Sequence, residues 1–132
     1  MIVIDASALV AIADQEPEAD RFLEVLGAAE AAAISAINAV ETGIILIGRQ
    51  RLRDIGELDR WLKDLEIDVD RANAGHAAAL AAYLSFGRGY HRARLNLADC
   101  FAYALAKALD APLLYKGDDF ALTDIRSALQ PT

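Results

Sequence analysis

The chain has 132 residues, 55% of them hydrophobic and 25% charged, with 13 basic against 20 acidic side chains and a formal charge of −7. This is the composition of one globular domain, residues 1–132, and it excludes a collagen-like or disordered chain. A single cysteine, Cys100, excludes an internal disulfide, and with only His76 and His91 beside it a zinc site of imidazole and thiolate is not expected; a reducing, cytoplasmic setting is.

Ile2-Val3-Ile4 is a short β-branched run suited to a strand buried on both faces. It carries no basic flank, so no signal peptide is expected. Ala6 to Ala13 reads as a helical turn or two. Pro17 suits the first turn of the next helix, Asp20 to Ala29, where Phe22, Leu23 and Leu26 follow helical spacing. Ala31 to Ile34 precedes the helix cap Ser35 and is expected to be a second strand. Ala36 to about Arg51 is expected to be a helix with Ile37, Val40, Ile44 and Ile47 on its inner stripe. Asp54 can cap a helix reaching Leu65, with Ile55, Leu58, Trp61, Leu62 and Leu65 inward. Ile67 to Val69 alternates like a strand, Ala72 to Phe86 is an alanine-rich helix, and Gly87 to Arg94 is a glycine-containing basic loop. Asn96 can cap the helix Leu97 to Leu109. Pro112 to Tyr115 is a further buried strand ended by Gly117, and the tail from Ala121 can supply an edge strand. The longest apolar stretches, such as Ile44 to Ile47, fall far short of the ~20 residues a membrane-spanning helix needs, so no membrane association is expected.

Strands alternating with helices require crossover connections, which is the pattern of an α/β sandwich around a parallel sheet. In such sheets ligands bind beyond the carboxyl ends of the strands. Asp5 and the pair Asp118-Asp119 fall at two such ends, although each also fits a capping role. Glu41 lies on the apolar stripe of its helix, and Asp99 is the one charge before Lys107 in the run Leu97 to Ala106. A salt bridge to an arginine is the plain alternative for each. Four acids from separate elements repel one another unless a cation lies among them, and an oxygen-only donor set selects Mg²⁺ or Mn²⁺.

The net acidity argues against nucleic-acid binding by the overall field, yet the cations are clustered. Arg49, Arg51, Arg53 and Arg60 form one group. Arg88, Arg92 and Arg94 form another, interleaved with Tyr90 and His91, which offers phosphate contacts and a ring for base stacking. A solvated surface loop is the alternative reading of that segment. Lys116 is a further phosphate candidate.

Four stretches together resemble the PIN-domain ribonucleases, specifically the VapC toxins of bacterial toxin–antitoxin pairs. They are Val3 to Leu9, Asn38 to Thr42, Leu95 to Ala106 and Leu113 to Phe120, in order along essentially the whole chain. The resemblance implies a three-layer α/β/α sandwich and Mg²⁺- or Mn²⁺-dependent endonuclease cleavage of RNA. It makes Asp5, Glu41, Asp99 and Asp118 the catalytic acids, with Asp5 and Asp99 as direct metal ligands and Asp119 the adjacent candidate for the fourth place. Ser7 matches a family hydroxyl near the first acid and equally fits a helix cap. The resemblance further implies a VapB-type antitoxin bound in a groove within residues 17–60, where Phe22, Leu26, Leu46 or Leu58 would be partly exposed, and a homodimer. Two other readings use some of the same residues. A phosphotransfer receiver would have a phosphorylated Asp5 with Lys116 nearby, and a non-catalytic binding module would use the acids for structure.

Overall fold

The computed structural model describes residues 1–70 and 75–129. Its elements run β1 (Ile2–Ile4), α1 (Ala6–Ala13), α2 (Ala19–Ala28), β2 (Ala32–Ser35), α3 (Ala36–Gly48), α4 (Ile55–Asp64), β3 (Ile67–Asp70), α5 (Gly75–Phe86), α6 (Leu97–Ala108) and β4 (Leu113–Leu114), followed by a 3₁₀ turn at Phe120–Leu122. Residues 72–74, expected to begin α5, lie outside the described residues.

Side chains alternate across a strand, so each short strand feeds two cores. Ile2, Ile4, Ala32, Ile34 and Leu114 point to one side, against α1 to α4. Val3, Ala33, Leu113 and Tyr115 point to the other, where Cys100, Ala102 and Leu105 of α6 meet them with Ala82 of α5. The outcome is the three-layer α/β/α sandwich with a central parallel sheet.

Among the described residues the sheet has the order β3-β2-β1-β4, all parallel, with Ile2 opposite Ala32, Val3 opposite Leu113 and Ala33 opposite Asp68. The order moves outward from β1 through β2 to β3, then returns to the far side of β1. Right-handed crossovers put the connecting helices on opposite faces when the direction reverses. The reversal therefore opens a crevice at the carboxyl ends of β1 and β4. Asp5 follows β1 directly, and its N–H donates to the Leu114 carbonyl at 2.9 Å.

Helix α3 turns a different face inward from the one its aliphatics indicate. Its buried residues are Asn38, Ala39, Thr42, Gly43 and Leu46. Val40 and Ile44 are 60% and 68% exposed. The cause is close packing: a Cβ on Gly43 would stand 3.0 Å from Leu58 Cδ2, and Asn38 and Thr42 have hydrogen-bond partners inside. Small and satisfied polar residues let α3 approach its neighbours, and Val40 and Ile44 are left outside. Ile55 is likewise turned outward, at 73% exposure, while Leu58 and Leu62 face in.

Smaller differences have local causes. Helix α3 stops at Gly48 because Gln50 turns left-handed at φ 60°. Pro17 lies in the turn before α2, whose N-cap position is Glu18. Among the described residues the tail makes a single parallel bridge, Ser127 to Leu113, in place of an edge strand. Caps Ser35, Asp54 and Asn96 accept from the N–H groups of Asn38, Glu57 and Asp99. No helix among the described residues is long and apolar enough to cross a membrane.

Candidate active site

Asp5 is held in the crevice by its own helix. As N-cap of α1 it turns its side chain back, and Oδ2 accepts the Ser7 N–H at 3.1 Å. The residue is only 4% exposed, and Oδ1 is buried with no hydrogen-bond partner among the described residues. Burial pushes this carboxyl above its ordinary range, against the opposing hydrogen bonds from Ser7 and Ala6. The Ser7 hydroxyl oxygen accepts the Lys116 N–H at 2.9 Å, which fastens the chain leaving β4 to the start of α1.

Glu41 comes from the second turn of α3 and Asp99 from the first turn of α6. Burial and then the charge of Asp5 raise the Glu41 carboxyl, while a hydrogen bond from Asn38 works the other way. Asp99 forms a capping box with Asn96: its Oδ2 accepts the Asn96 N–H at 3.0 Å, and its own N–H donates to Asn96 Oδ1 at 2.8 Å. Its carboxyl is pushed up to about 6, chiefly by burial and further by the charges of Asp5, Glu41 and Asp119. Like charges held in mutual reach produce such shifts. The structure thus brings Asp5, Glu41 and Asp119 within electrostatic reach of Asp99, and Asp5 within reach of Glu41. Asp118 and Asp119 are both exposed, and the acid of that pair bearing on Asp99 is Asp119.

The chemistry of this set fits a hard divalent cation: all donors are carboxylate oxygens, and one, Asp5 Oδ1, is buried without a partner. Among the described residues no three His, Cys, Asp or Glu side chains are gathered closely enough to hold a metal ion as they stand. The acids share a field without yet sharing ligand spacing.

The basic loop is built rather than slack. Gly87 donates to the Tyr83 carbonyl at 2.7 Å, and a Cβ there would stand 2.4 Å from that oxygen and 2.7 Å from the Tyr83 ring. Arg88 N–H donates to the Leu95 carbonyl and Leu95 N–H to that of Phe86, with Leu95 fully buried. His91 is used structurally: Nδ1 accepts the Ala93 N–H, and its ring meets Phe86 edge-on with centroids 5.0 Å apart. Tyr90, 61% exposed, leans edge-on to Tyr83. Arg88, Arg92 and Arg94 are exposed, and no ion pair among the described residues engages them. Lys116 differs, since its ammonium is paired with Glu16 and, at 3.3 Å, Glu18. Arg49 and Arg51 are similarly engaged by Asp14.

Phe22, Leu26, Leu46 and Leu58, expected to be partly exposed in a partner groove, are all buried, at 7% exposure or less. They belong to the core between the sheet and α1 to α4. An exposed apolar groove does lie largely within the expected stretch, between α3 and α4, with a volume of about 740 Å³; of those four residues only Leu58 lines it, together with Val40, Ile44, Ile47, Ile55 and Leu62. Asn38, fully buried beside Glu41, is a polar residue that spacing alone did not single out; Asn within an apolar helix three positions before an acid is the signal that was available.

A doubly wound parallel sandwich with carboxylates at its switch point defines an α/β domain whose candidate site lies beyond the carboxyl ends of its strands. The chain belongs to the PIN-domain family, within the VapC ribonucleases: the PIN domain model matches residues 2–125. It is similar to ribonuclease VapC30 of Mycobacterium tuberculosis, 43% identical over 131 residues, covering 98% of this chain and 100% of the relative. It is 42% identical over 125 residues to a ribonuclease VapC of Mycolicibacterium smegmatis, covering 94% and 97% of the two chains. In fold it is similar to the Mycobacterium tuberculosis toxin VapC20, described as cleaving the sarcin-ricin loop, with a TM-score of 0.71 at 15% identity over 96% of this chain and 99% of the other. A toxin–antitoxin complex from Klebsiella pneumoniae contains a chain with a TM-score of 0.65 at 19% identity, covering 92% and 91%.

Proposed function

We propose that the protein is a divalent-metal-dependent endoribonuclease, the toxin of a toxin–antitoxin pair. The observation that carries this reading is the buried, unpartnered Oδ1 of Asp5 at the sheet's switch point, with the Asp5 charge raising the proton affinity of both Glu41 and Asp99 and that of Glu41 adding to it at Asp99. Asp5 and Asp99 are the residues that would hold Mg²⁺ or Mn²⁺, supported by Glu41 and one acid of Asp118-Asp119, of which the charge on Asp99 favours Asp119. Such an ion supplies an acidified water and offsets charge developing on a phosphate.

The protein's own groups do the remaining work. Arg88, Arg92 and Arg94 bind phosphates, and Tyr90 offers its exposed face to a splayed base. Glu41 takes the proton of the attacking water at its carboxylate. The water oxygen bonds to phosphorus as the bond to the 3′ oxygen breaks, and the departing 3′ oxygen takes a proton from solvent, leaving a 5′-phosphate and a 3′-hydroxyl without use of the 2′-hydroxyl. The apolar groove between α3 and α4 is the surface we assign to the antitoxin, as an amphipathic helix whose large side chains fill it.

Wild type and Asp99→Asn, incubated with total RNA in Mg²⁺, Mn²⁺ or EDTA, test this reading when the new ends are mapped. Cleavage by wild type alone, abolished by EDTA and leaving 5′-phosphates, is the expected result. Activity in EDTA, 2′,3′-cyclic phosphate ends or full activity of the variant refutes it.

A further inference from the structure

Asn38 is completely buried in the first turn of α3, three residues before Glu41. Both ends of its side-chain amide are engaged. Oδ1 accepts the Ser35 hydroxyl, and Nδ2 donates to the Ala98 carbonyl of α6 at 3.0 Å. The Ala98 carbonyl can only accept, so it fixes which end of the amide is nitrogen, and the oxygen is left for the Ser35 hydroxyl. The backbone is held as firmly: Asn38 N–H donates to Ser35 Oγ at 3.0 Å, and its carbonyl accepts the buried Thr42 hydroxyl at 2.8 Å.

Ala98 immediately precedes Asp99. One amide therefore ties the turn that carries Asp99 to the helix that carries Glu41, across elements 60 positions apart in sequence. We propose that Asn38 is a positioning residue that sets the separation of the Glu41 and Asp99 carboxylates by tying α3, which carries Glu41, to the Ala98 carbonyl beside Asp99. This rests on the metal-dependent nuclease reading for the consequence, while the link itself is a feature of the fold. A buried side chain used only for packing at this junction would be apolar, since an amide here requires every partner to be supplied.

The test compares Asn38→Asp, Asn38→Ala and Thr42→Val in the full chain. Asn38→Asp keeps the volume and the acceptor for Ser35 and puts a second carboxyl oxygen in place of the donor to the Ala98 carbonyl. Thr42→Val removes a buried hydrogen bond of the same helix without touching Glu41 or Ala98, and controls for loosening of α3. Mn²⁺ affinity of metal-stripped protein is read by electron paramagnetic resonance of the free ion, and RNA cleavage by kcat and KM. Supporting partners of a metal site cost about tenfold or more when removed. Both Asn38 variants should lose at least that in Mn²⁺ affinity and in kcat with KM held, and Thr42→Val should lower Tm while keeping both. If Asn38→Ala does not fold, Asn38→Asp decides. Asn38 variants that bind Mn²⁺ and turn over like wild type, or a Thr42→Val that loses as much as they do, overturn the proposal. A wild type that binds Mn²⁺ and cuts no RNA refutes the nuclease reading, and the affinity ratio still decides the role of Asn38; a wild type that binds no Mn²⁺ overturns both.

Discussion

Replacing Asp99 with Asn should make the metal-free protein no less stable near neutral pH, although it alters a residue placed at the centre of the site. The amide keeps an oxygen for the Asn96 N–H, so the capping box survives. What disappears is a carboxylate raised from 3.8 to about 6 by burial and by Asp5, Glu41 and Asp119. That rise, at ~1.36 kcal/mol per tenfold in proton affinity, sets a ceiling of about 3 kcal/mol. Asp99 is half-buried, and solvent screening brings this to about 1 kcal/mol. Against it stands the loss of a negative charge at a helix N-terminus, worth ~0.3–1 kcal/mol. The variant should therefore match wild type or exceed it by up to about 1 kcal/mol in urea unfolding in EDTA near pH 7.

The pH dependence carries the sign. A raised carboxyl binds its proton more tightly when folded, so the penalty on wild type is full above about 6 and gone below the unfolded value of 3.8. Any advantage of the variant should fade as pH falls through that window. Mg²⁺ should invert the order, since an ion that binds only the native state stabilises by about 2.7 kcal/mol at a hundredfold excess over Kd. A variant more than about 1 kcal/mol less stable in EDTA would refute the repulsion argument. So would equal stabilisation of both proteins by Mg²⁺.

Gly87→Ala should cost about 1–3 kcal/mol in chemical denaturation, because the new Cβ meets the Tyr83 carbonyl at 2.4 Å; an unchanged midpoint would show that the loop shifts freely. Replacing Arg88, Arg92 and Arg94 together with Gln should weaken binding of single-stranded RNA and flatten its salt dependence by about two in log–log slope, for three phosphates at ~0.7 each, with Tm unchanged. An unaltered slope would remove the loop from the RNA path. Ile44→Asp, at a position 68% exposed, should abolish capture of the cognate antitoxin in a pull-down and leave Tm and RNA cleavage as they were; retained capture would move the antitoxin elsewhere.

Much of the architecture is legible from one-dimensional signals because those signals are local. Ser35, Asp54 and Asn96 announce helix starts through their own hydrogen bonds, and the β-branched run Ile2 to Ile4 permits little but a buried strand. Asp5, Glu41 and Asp99 stand out because a lone acid in an apolar setting needs a reason. The inward face of α3 is not legible, since it depends on partners far away: Leu58 against Gly43, and the Ala98 carbonyl against Asn38. Large aliphatics mark an apolar surface without saying whether a core or another chain covers it. The choice between Asp118 and Asp119 is hidden for a similar reason, since it turns on how the chain bends after the left-handed Gly117, at φ 101°. Lys116 reads as a free cation until Glu16 and Glu18 are seen beside it.

The central claim is that Asp5, Glu41 and Asp99 converge on one divalent cation, and an anomalous difference map from Mn²⁺-soaked crystals tests it most directly. The account predicts a peak bonded to Asp5 Oδ1 and to the Asp99 carboxylate, with Glu41 in its coordination sphere or one water away. A peak elsewhere, or Asp5 Oδ1 left without a cation at saturating Mn²⁺, would contradict it.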